Sequence, residues 1–181
     1  MTAYATPDEL EAGVEAIRAA PRDEGVLELI VRRPAVEERE VVEEAVLDLE
    51  LGLVGDNWSS RGRSGGRPAS THAQVTVMSS RAVALAAGER ERWPLAGDQL
   101  YVDFDLSGEN VPPGTRLQVG AAVIEVSDVP HTGCKKFSAR FGLETLVFFN
   151  SPEGRALNLR GINTRVVEPG VVRAGDAVRR L

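Results

Sequence analysis

Cysteine is nearly missing from this sequence: 181 residues hold one, Cys134. That excludes an intrachain disulfide and the stapled scaffolds of small secreted proteins. One cysteine and two histidines also fall short of the usual four ligands of a structural zinc site. No apolar run approaches the roughly 20 residues of a membrane span, so no membrane association is expected. The opening residues, MTAYATPDELEAG, have neither the basic nor the apolar stretch of a signal peptide. A soluble, reducing, cytoplasmic setting is the expectation. Positive charge is short as well. The formal net charge is -6, the wrong sign for a nucleic-acid binder, though a local basic cluster still suits a small anion. The phosphate-binding glycine loops and the G-x-S-x-G elbow are absent, and so are repeats at a fixed period.

What is present describes an ordinary globular chain. Apolar residues make up 43% and charged residues 27%. The length suits about one domain with its own core. Residues 6–20 read as a helix, with Thr6 as cap, Pro7 at its first position and Glu9 closing a capping box. Gly25–Arg33 reads as a strand. Residues 37–49 fit a helical stripe and a strand equally. LGLVGDNW (51–58) is a turn, and a long polar loop follows, with Arg61, Arg63 and Arg67. Those arginines either solvate the loop or reach an anionic ligand.

Further along, Ala73–Met78 reads as a strand, and Ser79 or Ser80 caps a short helix that Gly88 stops. Gly97–Leu106 alternates as a half-buried strand with Asp103 and Asp105 facing water. Strands are expected at Arg116–Val119, Ala121–Val126, Ile162–Val167 and Ala177–Arg180. One amphipathic helix is expected over Phe141–Phe149, and a turn over Asn150–Gly154. Seven or eight short strands, two or three helices and no βαβ rhythm predict a mainly β protein with flanking helices (α+β), as a barrel or a sandwich. Residues 1–24 form an N-terminal helical extension and 25–181 the β domain.

The chemistry concentrates in PHTGCKKFSAR (130–140), where His131 precedes Cys134 and Lys135 and Lys136 follow it. Nearby cations lower a thiol's pKa and favour the reactive thiolate. A lone cysteine is most often a small buried hydrophobe. Composition leaves both readings open.

Five stretches around this one share an order. They are GLVGD (52–56), QVTVMS (74–79), AGDQL (96–100), HTGCKKF (131–137) and NLRGINTRVVEPGVVRAGDAV (158–178). In that order and spacing, from about residue 27 to the C-terminus, the chain resembles the MOSC domain, named for the C-terminal domain of molybdenum-cofactor sulfurases. The resemblance implies a MOSC-type β-barrel and a role around the molybdenum cofactor (molybdopterin). The pyridoxal-phosphate desulfurase domain of the sulfurases has no counterpart in these 181 residues, nor has the extra β-rich domain of amidoxime-reducing relatives. A stand-alone form is the expectation.

On that resemblance Cys134 ligates molybdenum or carries sulfur, and His131 orients or deprotonates the thiol, or merely satisfies the turn. Lys135, Lys136 and Arg160 meet the cofactor's phosphate, Gly161 lets the backbone approach it, and Asn163 bonds the pterin edge. Asp56 orients the ligand or only closes an Asx-turn; Arg160 has a plain ion pair as its other reading. Two functions follow. One is a molybdenum-dependent reductase of N-hydroxylated small molecules, fed by an external electron-donor protein. The other is a non-catalytic carrier of cofactor or persulfide, loaded by a sulfur donor. A metal-free redox thiol is a third reading.

Overall fold

The computed structural model describes residues 4–62 and 65–181. Helix α1 (Pro7–Arg18) starts where expected. The Thr6 hydroxyl accepts the Glu9 N–H, and the Glu9 carboxylate accepts the Thr6 N–H. Leu10, Val14 and Ile17 fall on one face and are buried. Strand β1 (Glu24–Arg32) follows. The stretch with two readings resolves into strands, β2 (Glu40–Val42) and β3 (Glu44–Asp48). Short β4 (Gly52–Leu53) and helix α2 (Trp58–Arg61) come next. Then β5 (Val75–Ser79) leads directly into α3 (Ser80–Ala87), capped by Ser79. Strands β6 (Leu100–Asp103), β7 (Arg116–Val119) and β8 (Ala122–Val126) precede helices α4 (Lys135–Phe141), α5 (Leu143–Phe149) and α6 (Pro152–Ala156). The chain closes with β9 (Ile162–Glu168), β10 (Gly170–Arg173) and β11 (Ala177–Arg180).

Seven strands close a mixed barrel in the order β1-β11-β7-β8-β9-β5-β6 and back to β1. The β5–β6 pair is parallel and the other pairs are antiparallel. Closure removes the open edges that a flat sheet would expose. A small sheet, β10-β3-β4, lends Leu47, Leu53 and Val172 to the barrel core.

Two cores share the barrel wall. Leu27, Ile30, Leu100 and Val102 point into the barrel. Leu29, Val31 and Tyr101 point out, under α1, α3 and the aromatic trio Phe137, Phe141 and Phe149. A bulge between Leu27 and Leu29 shifts the side-chain alternation along β1. Helix α1 is part of this outer layer, packed on α3 and α5.

Several expectations need correction. Strand β6 is not half-exposed, because Tyr101 is as buried as Leu100 and Val102 beneath the helices. Asp103 is spent on Arg81 at 2.7 Å, and Asp105 accepts the Ser107 N–H. The helix expected over Phe141–Phe149 is present from Leu143 as α5, but a second helix, α4, which was not expected, ends at Phe141, and Gly142 with φ 92° separates the two. The turn at Asn150–Gly154 becomes α6, with Ser151 as its cap. The polar loop after Asn57 begins as α2 and buries Trp58. The described residues form more strands and helices than predicted, most of the surplus being very short.

Candidate active site at a cationic cleft

The site forms where β1, α2, α4 and the segment before β9 meet. Arg33 continues β1, and its backbone N–H and Nε both donate to Asp56 Oδ1, at 2.9 and 2.8 Å. Its Nη2 donates to Asp56 Oδ2 at 2.7 Å. The carboxylate also accepts the Trp58 N–H at 3.0 Å. The side chain of Asp56 is wholly buried, so it fixes Arg33 rather than facing a ligand.

A second buried carboxylate does the same for Arg160. Arg160 Nη1 donates to Asp98, Nη2 donates to the Ala96 carbonyl at 2.8 Å, and the guanidinium lies 4.9 Å over the Phe137 ring. The other oxygen of Asp98 lies 3.6 Å from His131 Nε2. Burial pushes the His131 imidazole down to about 4, against the pull of Asp98. It is therefore neutral at neutral pH.

These supports frame a cleft of about 230 Å³. Cys134 lies on its wall with six cations: Arg33, Arg39, Arg61, Lys136, Arg140 and Arg160. Among the described residues, the one carboxylate in the lining is Glu37. Among the described residues Arg39 and Arg61 pair with no carboxylate. Burial, with Arg140 beside it, holds the Arg39 guanidinium below its ordinary value. Burial and Arg33 act likewise on Arg61. The Nε atoms of Arg39 and Arg160 are buried without a hydrogen-bond partner. Crowded, partly desolvated cations of this kind favour an anion.

Cys134 sits at the N-cap of α4, exposed, a free thiol making no side-chain cap bond. Its loop is held one residue earlier. Gly133 donates its N–H to Asn150 Oδ1 at 2.9 Å, and Asn150 Nδ2 donates to the Gly133 carbonyl at 3.3 Å.

The residues singled out from the sequence do not all meet in one place. Cys134, Lys136 and Arg160 line the cleft, with Asp56 directly behind Arg33. Lys135 is exposed and outside the lining. His131, Gly161 and Asn163 line a neighbouring cavity of about 220 Å³. Asn163 there donates to the Val129 and Pro130 carbonyls at 3.0 and 3.3 Å, anchoring the entry to the cysteine loop. Gly161, at φ 106°, packs so closely on β5 that a Cβ would stand 2.5 Å from the Val77 carbonyl oxygen. Arg63 lies outside the described residues.

Sequence reading missed Arg33, Arg39, Arg140, Asp98, Glu37 and Asn150. Asp98 lay inside AGDQL and Arg140 inside PHTGCKKFSAR, so two signals were on view. Among the described residues no group of three or more His, Cys, Asp or Glu is placed to hold a metal.

The described residues thus form a closed mixed barrel with a cationic cleft beside one exposed thiol. The chain belongs to the MOSC domain family, whose sequence model matches residues 64–179. Solved structures agree in fold. The YuaD protein of Bacillus subtilis superposes with a TM-score of 0.63 at 18% identity, over 86% of this chain and 94% of that one. YiiM of Escherichia coli gives 0.55 at 21%, over 86% and 69%. YiiM of Geobacillus stearothermophilus gives 0.53 at 14%, over 90% and 74%. Identities this low show a shared fold alone. No curated protein sequence matches the chain.

Proposed function

We propose that the cleft binds the molybdenum cofactor beside Cys134, and that the protein reduces N-hydroxylated small molecules with electrons from an external donor protein. The observation that carries this reading is the convergence of six cations on a cleft whose wall holds the only thiol. The residues fit the group on three counts. Guanidinium forks bind phosphate bidentately. The unpartnered nitrogens of Arg39 and Arg160 are the buried polar atoms a phosphate-bearing ligand would compensate. A thiolate is a soft ligand suited to a metal that already carries sulfur donors. The cleft is smaller than the roughly 300 Å³ of pockets that enclose whole ligands, so it would seat part of the cofactor rather than surround it.

Bound there, the cofactor supplies a metal able to take oxygen from an N–O bond and be reduced again. The chain's own residues hold and orient. Asp56 and Asp98 fix Arg33 and Arg160 so that their charge is preorganised for the anion. Asn150 and Asn163 hold the loop that presents the Cys134 sulfur. Gly161 seats the segment that carries Arg160 against β5. Neutral His131 leaves Asp98 paired to Arg160.

The exposure of Cys134 favours a second reading. An accessible thiol would also serve as a persulfide carrier for cofactor sulfuration. An anaerobic assay with a reduced viologen and an N-hydroxylated base separates the two. The reductase yields the reduced base in wild type, and Cys134→Ser abolishes it. No turnover, with one extra sulfur on Cys134 by intact mass, replaces the reductase with the carrier.

A further inference from the structure

Among the described residues, Glu37 is the single acidic residue in the wall of the cationic cleft. It lies in the loop between β1 and β2, at φ 64°. A residue with a side chain rarely occupies that left-handed region, and it stays there only when its surroundings hold it. Two ion pairs tie its side chain to α4. Oε1 accepts from Lys136 Nζ at 2.9 Å, and Oε2 accepts from Arg140 Nη2 at 2.7 Å. Lys136 and Arg140 stand four residues apart on one face of α4, so a single carboxylate spans both. The same pair holds the Glu37 carboxyl below its ordinary value, Lys136 contributing most. Arg39 is part of the same wall and pairs with no carboxylate among the described residues.

We propose that Glu37 is the specificity gate of the cleft: it occupies the anion position between Lys136 and Arg140, and only a ligand with two or more negative charges displaces it. The argument is one of charge exchange. A monoanion that replaces Glu37 leaves the local charge as it was and gains nothing over a tethered carboxylate. A dianion adds one negative charge facing Arg39 and Arg61, whose burial disfavours their own ionisation. The ligand class is therefore a dianionic phosphate monoester or a polyphosphate, and simple carboxylates are refused. Glu37 is more than half exposed, so water solvates it on release. Its ion pairs are screened by salt, and discrimination narrows as ionic strength rises.

This inference rests on the reading of the cleft as an anion site, and its test separates the two. Pyrophosphate and acetate are titrated calorimetrically into the full chain, purified from a host unable to make the cofactor. Wild type is expected to bind pyrophosphate and to show no acetate binding at the same concentrations. Glu37→Gln is expected to bind pyrophosphate about tenfold more tightly and to acquire acetate binding. An unchanged preference in Glu37→Gln, or weaker pyrophosphate binding, overturns the gate while leaving the anion site intact. Failure of both proteins to bind pyrophosphate overturns the anion site itself, and the cofactor reading with it.

Discussion

Asp98 carries Arg160 on one carboxylate oxygen and has His131 3.6 Å from the other, with its side chain wholly buried. Removing one partner of a buried pair strands the other charge, at a cost of roughly 3–5 kcal/mol. Asp98→Asn is therefore expected to lower the unfolding free energy by about 3 kcal/mol in urea titration. Gly161 offers a second single-residue test. An alanine there meets both a left-handed backbone and a Cβ 2.5 Å from the Val77 carbonyl oxygen. Gly161→Ala should cost about 3 kcal/mol, read as a melting temperature lower by about 6–12 °C. From sequence, Gly161 looked like a place for a ligand to approach. The close approach in the structure is to β5, a contact between residues 84 positions apart in the chain (161 and 77) that no local pattern encodes.

Elements were legible in proportion to their length. Helix α1 spans three turns and carries its own start signal, Thr6-Pro7 with Glu9, and it was read nearly to the residue. Helices α4, α5 and α6 run only seven, seven and five residues, less than two full turns of apolar spacing each. The break at Gly142 falls between two short segments whose apolar residues, Phe137 and Phe141 before it and Leu143, Leu146 and Val147 after it, do not mark where one helix ends and the next begins. Strand β6 misled for another reason. Its alternation was real, but helices cover the face expected to meet water. At this scale the clamp of Asn150 on Gly133 sets how the cysteine loop behaves. Asn150→Ala should leave the fold intact, speed amide exchange at Gly133 and raise the alkylation rate of Cys134, both readable by mass spectrometry. Unchanged rates would show that the loop is held by other contacts.

For the whole molecule, closure of the barrel depends on β1 meeting β11, pairing Glu24 with Arg179 across nearly the full chain. The sequence narrowed the fold to a barrel or a sandwich because strand count alone does not register closure. The site shows the same limit. PHTGCKKFSAR marked one wall of the cleft, yet Arg33, Arg39 and Arg61 come from other elements and share no spacing with Cys134. Stability should follow His131 in mild acid. Its pKa is about 4 in the fold against roughly 6.5 when unfolded, so the unfolded chain takes up the proton first. Its neutral burial contributes fully above about pH 6.5, and that contribution is lost as pH falls toward 4. Wild type should lose about 3 kcal/mol more than His131→Gln between those limits. The carboxylates held low, Glu37 and Glu125 among them, begin to add their losses in the acid end of that window, as the unfolded carboxyls protonate, and go on losing below it; these losses are common to both proteins.

The central claim is that this cleft holds the molybdenum cofactor against Cys134. Its most direct test is the molybdenum and pterin content of protein purified from a cofactor-producing host, by elemental analysis and by fluorescence of the oxidised pterin. Wild type is predicted to carry both. Cys134→Ser should keep pterin with less molybdenum, and Arg39→Ala combined with Arg140→Ala should carry neither. Wild type free of both, or an arginine double variant loaded like wild type, would contradict the account.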